Sequence, residues 1–111
     1  MPWSEIIKEI LSVGVPLHNK GVDNWALTKE QALLAAEQLM NLKISILGGD
    51  VYELSDGEII PTYDNWYTQR LINENKEEYL LRTISETRKY IANYKSASDK
   101  QIYFVLVPKF N

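Results

Sequence analysis

Five carboxylates, Asp50, Glu53, Asp56, Glu58 and Asp64, stand in the stretch LGGDVYELSDGEIIPTYDNWY, residues 47–67. General acid–base chemistry needs two acids in different environments within reach of one substrate. Asp50 and Glu53 are the pair that could supply it, in a cleft of a small ligand-binding or hydrolytic domain. Asp56 precedes Gly57 in a turn signal, where its side chain bonds the local backbone. A hard cation would want oxygens converging on one point, and the alternating acids of a calcium loop are not spaced as Asp50, Asp56 and Asp64 are. Zinc would want histidines, and the chain has one, His18, in a polar loop between Pro16 and Gly21. His18 has no nucleophile motif around it and reads as a surface or loop-anchoring residue. Gly48-Gly49 lacks the spacing and the lysine of a phosphate loop. No metal, cofactor or catalytic set is therefore expected.

The same stretch carries Tyr52, Tyr63, Trp66 and Tyr67, and Trp25 lies earlier in the chain. Not all of these aromatics can point inward together with the neighbouring isoleucines and leucines. Those left outside would be rimmed by acids. No lysine or arginine occurs between Lys43 and Arg70, so this segment has a formal charge of −5. The remaining ten acids and twelve bases sum to +2. Exposed aromatics supply anchors and carboxylates supply steering, which is the chemistry of a face for a basic partner. On this ground Asp50, Glu53, Glu58, Tyr63, Asp64, Trp66 and Tyr67 are the expected partner-contact residues.

The whole chain bounds these readings. Its 111 residues, 45% hydrophobic, fit one domain, 1–111, with a real core. The absence of cysteine excludes disulfides, thiolate metal sites and a cysteine nucleophile, and fits a reducing compartment. A net charge of −3 argues against a nucleic-acid binder. MPWSEIIKEILSVGV reads as an amphipathic helix, not a signal peptide, and no run is long enough to span a membrane. A soluble, cytoplasmic protein is expected.

The elements that must position the stretch follow from periodicity. A first helix is expected over Pro2 to Val13, stopped by Gly14 and Pro16. Thr28-Lys29-Glu30-Gln31 is a capping box that starts a second helix, with Ala32, Leu33, Ala36, Leu39 and Met40 on its buried face. Ile44 to Leu54 reads as a strand interrupted at Gly48-Gly49, which marks a bend, a bulge or a close backbone approach. Ser55-Asp56-Gly57 is a hairpin turn, and Glu58 to Thr62 returns antiparallel, with Pro61 at an edge. YDNWYTQRLINEN is expected to be irregular or to hold a short helical turn. A third helix, about Lys76 to Tyr94, has a weaker Asn75/Glu78 cap and the pairs Glu78–Arg82 and Arg82–Glu86 outside. IYFVLV, residues 102–107, is apolar throughout and is expected in the middle of the sheet. The fold class is α+β: a small antiparallel or mixed sheet of three to four strands with about three helices.

Trp3, GVDNWALTKEQAL at 21–33, LGGDVYEL at 47–54, PTYDNWY at 61–67 and YFVLVPK at 103–109 occur in one order across nearly the whole chain. Together they resemble the bacterial polymorphic-toxin immunity proteins of immunity protein family 40. The resemblance implies a small cytoplasmic α+β protein, made beside a secreted or contact-delivered toxin, that binds the toxin's C-terminal domain and blocks it. It does not imply an enzyme or name the toxin's activity. Trp25, Gly48, Gly49, Asp50, Tyr52, Tyr63, Trp66 and Pro108 match the family's pattern. Gly48 and Gly49 would shape the backbone, and Trp25, Tyr52 and Pro108 would be structural. A monomer or weak homodimer is expected, with the toxin as partner and with no nucleic acid or membrane. A purely structural or adaptor domain is the third alternative.

Overall fold

A computed structural model of the chain describes residues 3–109. Helix α1, Glu5–Leu11, buries Ile7 and Leu11. It is shorter than the sequence suggests, and Pro2, its expected start, lies outside the described residues. Trp3 precedes it and is buried, its indole N–H donating to the Pro108 carbonyl at 3.1 Å.

The next segment does more than connect. Val15–Pro16 (β1) and Trp25–Ala26 (β2) pair as a two-stranded antiparallel ribbon, with a 3-10 turn at His18–Lys20 between them. No alternation in the sequence announces strands of two residues. Helix α2, Lys29–Asn41, begins at the expected capping box: the Gln31 N–H donates to Thr28 Oγ1 at 3.2 Å and the Thr28 N–H to Gln31 Oε1 at 3.0 Å. Ala32, Ala35, Ala36 and Leu39 are its buried side.

Strands β3 (Ile46–Ser55), β4 (Glu58–Tyr67) and β5 (Ile102–Pro108) form the main sheet, all antiparallel, in the order β4-β3-β5. The central strand is thus β3, not the apolar β5. Continuous apolarity in β5 reflects cover on both faces rather than a central place. Phe104 and Leu106 face the helices, while Val105 packs with Leu17, Ala26 and Ile59 on the other side. Its outer edge is closed at one point, where Leu27 and Phe104 exchange backbone hydrogen bonds of 2.8 and 2.7 Å.

β4 also departs from expectation. It does not stop near Thr62 but stays paired to Tyr67. Between Asp50 and Tyr52 the central strand advances two residues, while β4 advances four, from Asn65 back to Pro61. The surplus is a bulge at Thr62–Asp64. The Thr62 hydroxyl donates to the Val51 carbonyl at 3.0 Å and accepts from the Asp64 N–H at 3.1 Å, so the bulge is pinned at both ends. The irregular segment is the shorter one after Tyr67. There Arg82 donates to the Gln69 carbonyl and to both oxygens of Glu74.

Helix α3, Lys76–Asn93, has a complete capping box between Asn75 and Glu78, with bonds of 2.8 and 2.9 Å. Because Glu78 is committed to the cap, the expected Glu78–Arg82 pair does not form. Arg82 pairs with Glu74 at 2.7 Å, and with Glu86 at 3.7 Å. Tyr79, Leu80, Thr83, Ile84, Thr87 and Ile91 are buried. The helices cover one face of the sheet, α3 against β3 and α2 against β5, with α1 on α2. The fold is α+β, with three α-helices and two small antiparallel sheets among the described residues.

Candidate functional site

Parity along β3 sorts the opening stretch. From Gly48 to Glu53 the pairing with β5 is regular, so alternate side chains take opposite faces. Val51 is buried under the helices, and Glu53 shares its face. Asp50 and Tyr52 point the other way, toward a face that no helix covers. Among the described residues only the 15–26 segment lies there, and it shields one part: Leu17, Val22 and Ala26 pack on Ile59, Val105, Tyr52 and Tyr103. The rest is open, and β4 contributes Asn65 opposite Asp50 and Tyr67 opposite Gly48. Tyr67 is 68% exposed, and Tyr63, on the bulge, 83%.

Asp50, Tyr52 and Tyr63 form one electrostatic group. Partial burial on the strand raises the Asp50 carboxyl above the ordinary carboxylate value. Burial also raises the Tyr52 phenol, and the Asp50 charge and Tyr63 raise it further. Among the described residues no lysine or arginine forms an ion pair with Asp50.

The other acids have separate fates. Asp50 and Glu53 lie on opposite faces, so the structure does not assemble the cleft that a carboxylate pair would need. Glu58 meets Lys20 Nζ at 3.2 Å, which ties the 15–26 segment to the hairpin. Asp64 accepts the Tyr94 hydroxyl at 2.6 Å, close to the end of α3. Burial first, and then that bond, push the Tyr94 phenol up to about 12. Among the described residues no group of three or more His, Cys, Asp or Glu is placed to hold a metal ion.

Trp66 lies on the helix side. Its ring stacks on Tyr90 at 4.7 Å between centroids, and its N–H donates to Thr87 Oγ1 at 3.0 Å. Gly49 is its seat: a Cβ there would collide with the indole Cη2 and with the Val105 carbonyl. A Cβ on Gly48 would strike the Trp66 carbonyl. The glycine pair is therefore a close-approach device inside a continuous strand. Trp25 is half-buried with His18 edge-on at 5.0 Å, and His18 Nε2 lies 2.9 Å from Asp23. Pro108 is buried under Trp3.

Sequence reasoning passed over Asn24. It is 5% exposed, donates to the Leu106 carbonyl at 2.8 Å and accepts from the Trp25 N–H at 2.8 Å, holding the ribbon against β5. The available signal was the tripeptide DNW, which occurs at 23–25 and again at 64–66. Tyr94 and Thr87, which place Asp64 and Trp66, carried no signal beyond helix periodicity.

Among the described residues no helix is long and apolar enough to cross a membrane. No curated protein and no solved structure matches the chain significantly. The family model for Immunity protein 40 matches residues 16–108, from β1 to the end of β5, and so takes in the ribbon, the whole sheet and its open face. The chain belongs to the Immunity protein 40 family.

Proposed function

We propose that this chain is an immunity protein that binds a cognate bacterial toxin domain in a one-to-one complex and neutralises it by occlusion, without catalysis of its own. It acts in the cytoplasm of the producing cell and uses the open sheet face. The observation that carries the reading is the grouping of Asp50, Tyr63 and Tyr67 on a face that no helix covers. The two tyrosines are exposed anchors of the kind that dominate interface energetics. Asp50 sits between them without an internal counter-charge, so its natural complement is a lysine or arginine of a basic toxin surface. Trp66 acts from beneath, as support for β4, rather than as an anchor. Glu58 and Asp64 stand at the margin, where their internal partners hold them. The hydrolytic alternative loses its ground because Asp50 and Glu53 do not share a face.

The test is to mix the chain with the toxin domain encoded beside it. Light scattering should give a one-to-one complex, and toxin activity should vanish at equal concentration. Tyr63→Ala with Tyr67→Ala should weaken the complex by about a hundredfold or more, since a hot-spot anchor contributes about 2 kcal/mol. A full-strength complex in this double variant would place the interface elsewhere.

A further inference from the structure

Remote segments of this acidic chain bring four cations to one cleft. Lys43 follows α2, Arg70 lies between β4 and α3, Lys76 opens α3 and Lys109 follows β5. The cavity is about 290 Å³, and among the described residues Glu77 is the one acid in its lining. Four bases and one acid give the lining a charge of +3, so the rest of the molecule, at −3 overall, carries −6. Tyr79 forms the floor, with Arg70 Cζ 5.8 Å and Lys109 Nζ 5.6 Å from its ring centroid. Glu77 offsets little, standing 3.9 Å from Lys43 on the exposed rim. The α3 capping box takes the amides of Asn75 and Glu78. It leaves those of Lys76 and Glu77, at the cleft, as the donors of the first helical turn.

Like charges held together cost free energy unless an anion joins them. We propose that this cleft binds a small phosphate monoester. A phosphate dianion answers several cations at once, which a single carboxylate cannot. The space is roughly ten times the ~30 Å³ share of one water, too large for phosphate alone. Ile44, Leu80 and the Tyr79 ring would take the organic part. None of Asp50, Tyr63 and Tyr67, the residues placed on the open sheet face, lines this cleft.

The test is an amide-resolved NMR titration of the full chain at low salt with adenosine 5′-monophosphate, inorganic phosphate, adenosine and chloride. The monophosphate should shift the Lys76 and Glu77 amides saturably, more tightly than phosphate, while adenosine does not. Arg70→Gln and Lys109→Gln should each weaken binding about tenfold, the cost of one charge-assisted bond. Lys100→Gln, outside the cleft, should bind as the parent does. A chloride response equal to that of the monophosphate would reduce the effect to screening and overturn the proposal. So would unchanged affinity in both cleft variants, or no saturable shift with the monophosphate.

Discussion

Tyr63 holds a backbone φ of 72°, in the left-handed region. Asp56, at 51°, shares that region but sits in a turn beside Gly57, where a short polar side chain is tolerated. A tyrosine there costs about 1–2 kcal/mol, and its ring is exposed, so packing does not repay the strain. Tyr63→Gly should therefore raise the stability of the free chain by about 1 kcal/mol in urea denaturation, while toxin affinity falls. A loss of stability would show that the ring packs in the free protein. Asp50 makes a similar trade through charge. Its folded pKa is raised, so its stability contribution is present below the unfolded carboxyl value and lost as pH rises through the folded one. Asp50→Asn should be more stable than the parent at neutral pH, and the gap should close below the carboxylate range. Denaturation at both pH values measures this, and a constant gap would remove the ionisation as its cause.

At the scale of elements, β3, β4 and α3 meet through Gly49 and Trp66. Gly49→Ala pushes a methyl against both a ring and a backbone carbonyl. It should cost about 2 kcal/mol or more. The thermal midpoint by circular dichroism would then fall by about 10 °C, and an unchanged midpoint would mean that β3 moves freely away from Trp66. The 69–75 segment depends on one ion pair. The Arg82 side-chain bond holds the Glu74 carboxyl at about 2, well under the ordinary 4.5. A depressed acid stabilises above its unfolded value and loses that contribution as pH falls through the folded one. Between about 4.5 and about 2 the Leu71 amide, which donates to Glu74 Oε1, should lose exchange protection before β3 does. Simultaneous loss would place the ion pair inside the global unfolding unit. Helix starts were legible because caps are local: Thr28/Gln31 and Asn75/Glu78 each close within four residues. The length of β4 was not, because Asn65–Tyr67 stay in register only through a bulge and a glycine-paved neighbour. The place of β5 was not either, since cover by Leu17 and Ala26 makes an edge strand look central.

For the molecule as a whole, the −5 of the acidic segment is not one field. Lys20 answers Glu58, Tyr94 binds Asp64, and Glu53 turns to the other face. On the proposed function, steering toward a basic toxin rests on the sum of these charges at long range, and docking rests on Asp50. Replacing Asp50, Glu53, Glu58 and Asp64 together by their amides should slow association at low salt and flatten its salt dependence, with the fold retained. Stopped-flow mixing measures this, and an unchanged rate would reject steering.

By itself the sequence determined the helices and their caps, the hairpin turn, the α+β class, the lack of thiol chemistry and the family resemblance. These rest on short-range spacing and on composition. Only the tertiary structure decided which aromatics are presented. Side chains on a strand alternate, so the face each takes depends on register with a neighbour and on what remote segment covers that face. The 15–26 segment covers part of one face and leaves Asp50, Tyr63 and Tyr67 outside. The gap above Gly49 draws Trp66 inward, to Tyr90 and Thr87 on α3. The cationic cleft belongs to the same class of fact, since the chain around Lys43, around Arg70–Lys76 and around Lys109 comes together at the cleft only after it has folded.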